Sequence, residues 1–304
     1  MNRHLQMLMR AAFSLALFVI IAGSDAAAQK VVSGSWKASM KTEEADKIHL
    51  SFERRLEQGG KNQMGTTYSF ADLQGLSRER VATGGAVKFS LAREAGTIDC
   101  EGAFQNGEGS GTFRFTANQS FVAAMKSRGF DFEKSTSKSK GEHDAEDRLF
   151  AATTLNVTTT LADDLLSADF GKLDVDDLFK AAIFKVDSRF MREMKASGFP
   201  NLGMEELVKA RIFKIDAGFV AQVTQMGFDK EPFESLVKMQ IFKVTPEFIT
   251  QARDEGLTNL SVEDLVKMRI FKIDGDFIRQ AKAEGVPLDI EKLVQKRIGV
   301  RSRQ

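Results

Sequence analysis

A chain of 304 residues with 43 basic and 42 acidic side chains has no excess of either sign. That excludes the basic footprint of a nucleic-acid binder or of a protein drawn to anionic membranes. Its 25 phenylalanines stand against one tyrosine and one tryptophan, an aromatic set without polar handles that suits dry packing.

The N-terminus reads as a secretory signal peptide. Arg3 and Arg10 make a basic start, Ala11 to Gly23 is apolar, and Ala26-Ala27-Ala28 offers a small-residue cleavage site before Gln29. The apolar run is shorter than the roughly 20 residues a spanning helix needs, and no cysteine follows it to carry a lipid. Removal of residues 1–28 is therefore expected, leaving a mature chain without a transmembrane segment in a periplasmic or extracellular compartment. Its length suits two domains.

Residues 29–116 show a period of two. Leu50 and Phe52 alternate with polar neighbours, as do Val87, Phe89 and Leu91, then Ile98 and Cys100, then Phe113 and Phe115. Such alternation predicts half-buried strands. Gly59-Gly60, Gly84-Gly85, Ala95-Gly96 and Asn106-Gly107 lie between them, and Asn-Gly is the strongest short hairpin signal. About six strands are expected in an antiparallel meander, as a small sandwich or barrel or a sheet covered by later helices. Cys100, the single cysteine, cannot form an intramolecular disulfide and reads as a small buried hydrophobe. Gly34-Ser35-Trp36 resembles the G-x-W that opens lipocalin-like barrels. Its first reading is a lone Trp36 filling the end of the β core, its second a pocket for a lipid or small molecule.

A helical pattern begins at Asn118, because Phe121 and Gly129 have the spacing of Phe190 and Gly198. Residues 117–153 are thus read as a first helical unit, interrupted at 131–147 by a polar, charged stretch expected to be a flexible loop. From 154 to 300 five units follow: 154–182, 183–211, 212–240, 241–269 and 270–297. Ile183-Phe184-Lys185 returns at 212, 241 and 270, with Phe190, Phe219, Phe248 and Phe277 and with Gly198, Gly227, Gly256 and Gly285 in the same register. A fixed period of this size marks a stacked repeat array. Residues 301–304 form a basic tail.

Each unit is predicted to hold two short helices. The first starts at an N-cap (Asp187, Asp216, Thr245 or Asp274), with Pro246 at the first helical position after Thr245, and ends at a left-handed glycine. Phe248, Ile249 and Ala252 give its buried face. The second helix is expected to bury Met204, Leu207, Val208 and Ile212 at i, i+3, i+4 and i+8, and Ser261 with Asp264 forms a capping box before it. Helix pairs this short must stack into a shared core. The fold class is therefore α+β, a β-meander followed by an α-solenoid of 29-residue repeats.

Basic residues recur on the second helices: Lys209, Arg211 and Lys214; Lys238 and Lys243; Lys267, Arg269 and Lys272. Stacked, they could form an interaction stripe for an acidic peptide or polyanion. The competing reading is a solvated face in which acids open each helix and bases close it, as the helix dipole favours. The mature chain has two histidines, His49 and His143, without paired ligand spacing. No H-E-x-x-H, G-x-S-x-G or G-x-x-x-x-G-K occurs. Neither a cofactor nor a metal site is expected, and no catalytic residue is singled out.

Stretches such as LVKMQIFKVTPEFITQARDEG (236–256) resemble repeats in exported segments of bacterial proteins, some fused to membrane sensor peptidases of the antirepressor (M56) type. The resemblance covers roughly 118–300. The zinc-peptidase helix motif and the multiple membrane spans are absent here, so it implies an extracytoplasmic sensing or interaction module and no peptidase activity. The leading expectation is an exported, non-enzymatic scaffold with a protein or peptide partner. A lipid or small-molecule carrier using the β domain is the alternative, and a hydrolase with unrecognised carboxylates a second one.

Overall fold

The computed structural model describes residues 32–40, 46–55, 61–134, 145–169 and 171–299. The signal peptide expected at 1–28, the tail 301–304 and residues 135–144 of the expected loop lie outside them.

The first part is one antiparallel sheet. Its strands are β1 (Val32–Ser39), β2 (Lys47–Arg55), β3 (Lys61–Ser69), β4 (Leu73–Gln74), β5 (Gly85–Arg93), β6 (Gly96–Gln105) and β7 (Glu108–Ala117), in the order β3-β2-β1-β7-β6-β5-β4. A flat sheet of this size would hold its edge strands about 29 Å apart. Here β3 and β4 are the two edges, yet only a 3-10 turn, Phe70–Asp72, separates them in the chain. Four residues reach at most about 14 Å, so the sheet must curl on itself. The hairpin signal is realised between β6 and β7, where Asn106 (φ 54°) and Gly107 (φ 80°) both take positive φ. Gly84-Gly85 plays a different part. A short helix, α1 (Arg78–Thr83), capped by Ser77, precedes β5, and Gly84 ends it.

Alternate residues of every strand face the inside of the curl. Trp36 is buried there, directly across from Gly111, and a Cβ at Gly102 would fall 2.6 Å from its indole. The missing side chains of Gly102 and Gly111, paired across β6 and β7, leave the space the indole fills. Phe89 and Phe104 complete the cluster at 5.2 and 5.6 Å between ring centroids.

The rest of the interior is filled by a helix from much later in the chain. After α2 (Gln119–Ser127) and the residues that follow it comes α3 (Ala145–Leu155), which lies against β1, β3, β6 and β7. Its Phe150 stacks on Phe113 at 5.2 Å and meets Phe52 and Phe115 edge-on. The Tyr68 hydroxyl donates to the Thr154 carbonyl at 3.1 Å, and Arg54 pairs with Asp147. Part of the stretch expected to be a polar loop is thus ordered. Phe132 is fully buried against Phe121 and Phe179, and Ala145–Asp147 already belong to α3.

Ten more helices follow among the described residues: α4 (Thr159–Leu166), α5 (Val175–Phe184), α6 (Ser188–Ala196), α7 (Met204–Ile212), α8 (Ala217–Gln225), α9 (Phe233–Ile241), α10 (Pro246–Asp254), α11 (Val262–Ile270), α12 (Gly275–Ala283) and α13 (Ile290–Arg297). They pack as two rows. Odd-numbered helices from α3 to α13 form one and even-numbered helices from α2 to α12 the other, with contacts between row neighbours such as α5 and α7, α9 and α11, and α10 and α12. The caps form as the sequence dictates. Asp187, Asp216, Thr245 and Asp274 accept from the amides of Phe190, Phe219, Phe248 and Phe277. Ser261 and Asp264 make a reciprocal capping box.

One expected face is corrected. Met204, Leu207 and Val208 are buried but Ile212 is half exposed, and Ala210 is buried instead. At about 100° per residue the buried arc runs from Ala210 through Leu207 to Val208, and Ile212 falls beyond its edge.

Candidate functional site

The odd-numbered row carries the residues of interest at the same place in each helix. In α7, Glu205, Lys209 and Ile212 stand at i, i+4 and i+7 and so share one face. The same three positions hold Glu234, Lys238 and Ile241 in α9, and Glu263, Lys267 and Ile270 in α11.

The structure divides the eight basic stripe residues into three groups. Lys209 and Lys238 reach forward one unit to Glu234 (2.7 Å) and Glu263, and Lys267 to Glu291. Lys180 continues the ladder with Glu205 at 2.6 Å. Hydrogen bonding to these carboxylates holds the ammonium groups of Lys180, Lys209 and Lys267 above their ordinary pKa. The pairs are exposed, so they set register between units more than they add stability.

Arg211 and Arg269 reach backward. Arg269 donates from Nε to the Phe242 carbonyl at 2.9 Å, where α9 ends, and its guanidinium covers the Phe248 ring. Arg211 covers Phe190 in the same way, and Arg297 repeats both contacts on Phe271 and Phe277. These arginines tie each second helix to the helices just before it.

Lys214, Lys243 and Lys272 behave differently, and Lys185 joins them. All four are exposed and left-handed, with φ of 57° at Lys185, 54° at Lys214, 52° at Lys243 and 53° at Lys272. None of the four makes a side-chain ion pair among the described residues. Two positions before each stands an isoleucine. Ile183, Ile212, Ile241 and Ile270, with Ile298 in the last unit, are 48–56 % exposed, while the phenylalanine between isoleucine and lysine packs against the core. The array thus carries a line of apolar side chains beside a line of unpaired cations along the C-terminal ends of one helix row. Sequence reasoning missed the isoleucines, because strict recurrence in a helix reads as core.

Trp36 is 1 % exposed and donates from Nε1 to the Glu101 carbonyl. It lines neither the groove at Lys37, His49 and Gln105 nor the one at Ser33, Lys88 and Arg114. Cys100 is buried on the same inner face, and burial raises its thiol pKa well above the ordinary value, which suppresses the reactive thiolate. Among the described residues no group of three His, Cys, Asp or Glu side chains could hold a metal ion, and no helix is long and apolar enough to cross a membrane. The chain matches no protein-family model, no curated protein and no solved structure.

Proposed function

We propose that this chain is an exported, non-enzymatic scaffold that offers the odd-numbered helix row to a protein partner, in the sensing or interaction role that the resemblance to exported bacterial repeats implies. The observation that carries the reading is the Ile–Lys line. Isolated surface isoleucines need no explanation, but five in register along one helix row are not isolated. The exposed position Arg192, Ala221, Thr250 and Arg279 varies from unit to unit, whereas the half-exposed isoleucine does not vary among the four units. Its identity is therefore held by something other than burial in the free chain.

The test compares wild type with a variant in which Ile183, Ile212, Ile241 and Ile270 are serine. Immobilised wild-type protein should retain a component of the native envelope that the variant, with an unchanged helical circular dichroism spectrum, does not. Equal retention by both would remove the line from the function. Export is tested separately: the intact mass of protein secreted by its host should correspond to a chain beginning at Gln29, and retention of residues 1–28 would refute it.

A further inference from the structure

The lysines of the line occupy backbone positions that cost energy. A left-handed residue with a Cβ is disfavoured by about 1–2 kcal/mol, and glycine is the usual solution at the end of a helix. The same chain uses that solution in its other row, where α6, α8, α10 and α12 are followed by Gly198, Gly227, Gly256 and Gly285 at φ of 75–100°. The odd-numbered row places lysine there four times. The helix dipole favours a cation near these ends but does not require it at the left-handed position itself, and the carbonyls of Lys214, Phe242 and Phe271 already accept from Gln240, Arg269 and Arg297 of the next odd-numbered helix. Backbone strain repeated at exposed, unpaired cations points to a ligand.

Resting on the scaffold reading above, we propose that the Ile–Lys line docks an extended acidic segment of a partner protein, in which an apolar residue and a carboxylate each recur every third residue. Charge complementarity supplies the sign, since Lys185, Lys214, Lys243 and Lys272 have no carboxylate of their own among the described residues. The spacing supplies the period. Neighbouring packed helices lie about 8–10 Å apart, and three residues of a polyproline II chain, one full turn that brings side chains back to the same face, cover about 9 Å. A segment of about 12 residues therefore meets four units in turn.

A flat anionic bilayer fits less well. Glu205, Glu234, Glu263 and Glu291 stand on the same helical faces as the isoleucines, with side chains 59–68 % exposed. A bilayer broad enough to cover the line would meet these carboxylates too, whereas a single strand touches only the line.

The experiment titrates the full chain with fluorescent 12-residue peptides. One repeats Asp-Leu-Ser, the second has the same composition with its period scrambled, and the third carries Asn for Asp. Vesicles of phosphatidylglycerol and phosphatidylcholine form a fourth arm. The first peptide should bind at least about tenfold tighter than the other two, a difference of about 1.4 kcal/mol, and its affinity should fall with added salt. Lys185→Gln, Lys214→Gln, Lys243→Gln and Lys272→Gln combined should abolish the preference. Should that variant misfold, Lys243→Gln alone should weaken binding by a measurable fraction. Equal binding of the ordered and scrambled peptides, undiminished binding by the lysine variants, or binding to vesicles alone would overturn the proposal. If no peptide binds while isoleucine-dependent capture persists, the acidic-segment proposal fails and the scaffold reading stands; if that capture is also lost, both fail.

Discussion

The guanidinium of Arg211 lies 3.8 Å from the centroid of the Phe190 ring, joining the end of one second helix to the start of the first helix in the same unit. Arg269 over Phe248 and Arg297 over Phe277 repeat the contact at 4.6 and 4.8 Å. The unit between them departs from the pattern, because Gln240 stands where the others have arginine. It donates to the Lys214 carbonyl at 3.3 Å but brings no cation to Phe219. That ring is half buried, while Phe190, Phe248 and Phe277 are buried.

Restoring the arginine should therefore stabilise the array. Gln240→Arg is expected to raise the unfolding free energy by about 0.5–1 kcal/mol, the size of an exposed cation–π contact. Arg269→Gln should lower it by at least as much. Urea unfolding followed by circular dichroism measures both, and a midpoint unmoved by either change would show that the ring contact is incidental.

The left-handed lysines make a second prediction. Lys243→Gly removes a strain of about 1–2 kcal/mol and adds roughly 0.5–1 kcal/mol of backbone entropy cost. A net gain of about 0.5–1 kcal/mol should appear in denaturant midpoints. Gly198→Val is the mirror experiment. A Cβ there meets nothing within 4 Å, so its expected loss of about 1–2 kcal/mol comes from backbone conformation alone.

The third concerns Phe150, whose ring contacts Phe52, Phe113 and Phe115 inside the curled sheet. Phe150→Ala should cost about 3–5 kcal/mol. Trp36 is the only tryptophan and lies in the same interior, so its emission reports on the sheet directly. Its unfolding midpoint should drop sharply in Phe150→Ala, and a midpoint equal to wild type would mean that α3 does not hold the sheet.

The fourth is a pH dependence. Arg128 donates to both carboxylate oxygens of Asp163 at 2.7 and 3.0 Å, tying α2 to α4, and this hydrogen bonding holds the Asp163 pKa below its ordinary value. Between the folded and unfolded pKa values the unfolded chain binds more protons. The contribution is therefore fully present above the unfolded pKa of about 3.9 and lost as pH falls through the lower folded value. Asp163→Asn should be less stable than wild type at pH 7, and the difference should shrink with acidification. A difference that stays constant to the acid limit would assign the effect to something other than this carboxylate.

Much of the helical array was legible because its determinants are local. A cap at Asp187, a proline at 246 and a glycine at 198 act within one turn of chain, and the 29-residue register repeats the same local information several times. The β-meander was legible for the same reason, from alternation and from Asn106-Gly107. Helix α1 was missed because six residues are too few to show a period. The exposure of Ile212 was missed because periodicity gives a face but not its exact limits, and Ala210 is small enough to be overlooked as its edge.

The amino-acid sequence by itself determined the two-part α+β layout, the helix caps and the repeat unit, since each follows from backbone preference or from hydrophobic spacing over a few residues. Only the tertiary structure decided that α3 fills the curled sheet, that Arg269 ties adjacent helices and Lys267 joins units rather than facing a ligand, and that Ile212 and Lys214 belong to an exposed line. Those are contacts between residues about 25 to 100 positions apart in sequence, or the lack of them, and short-range pattern carries no information about which distant surface a side chain meets.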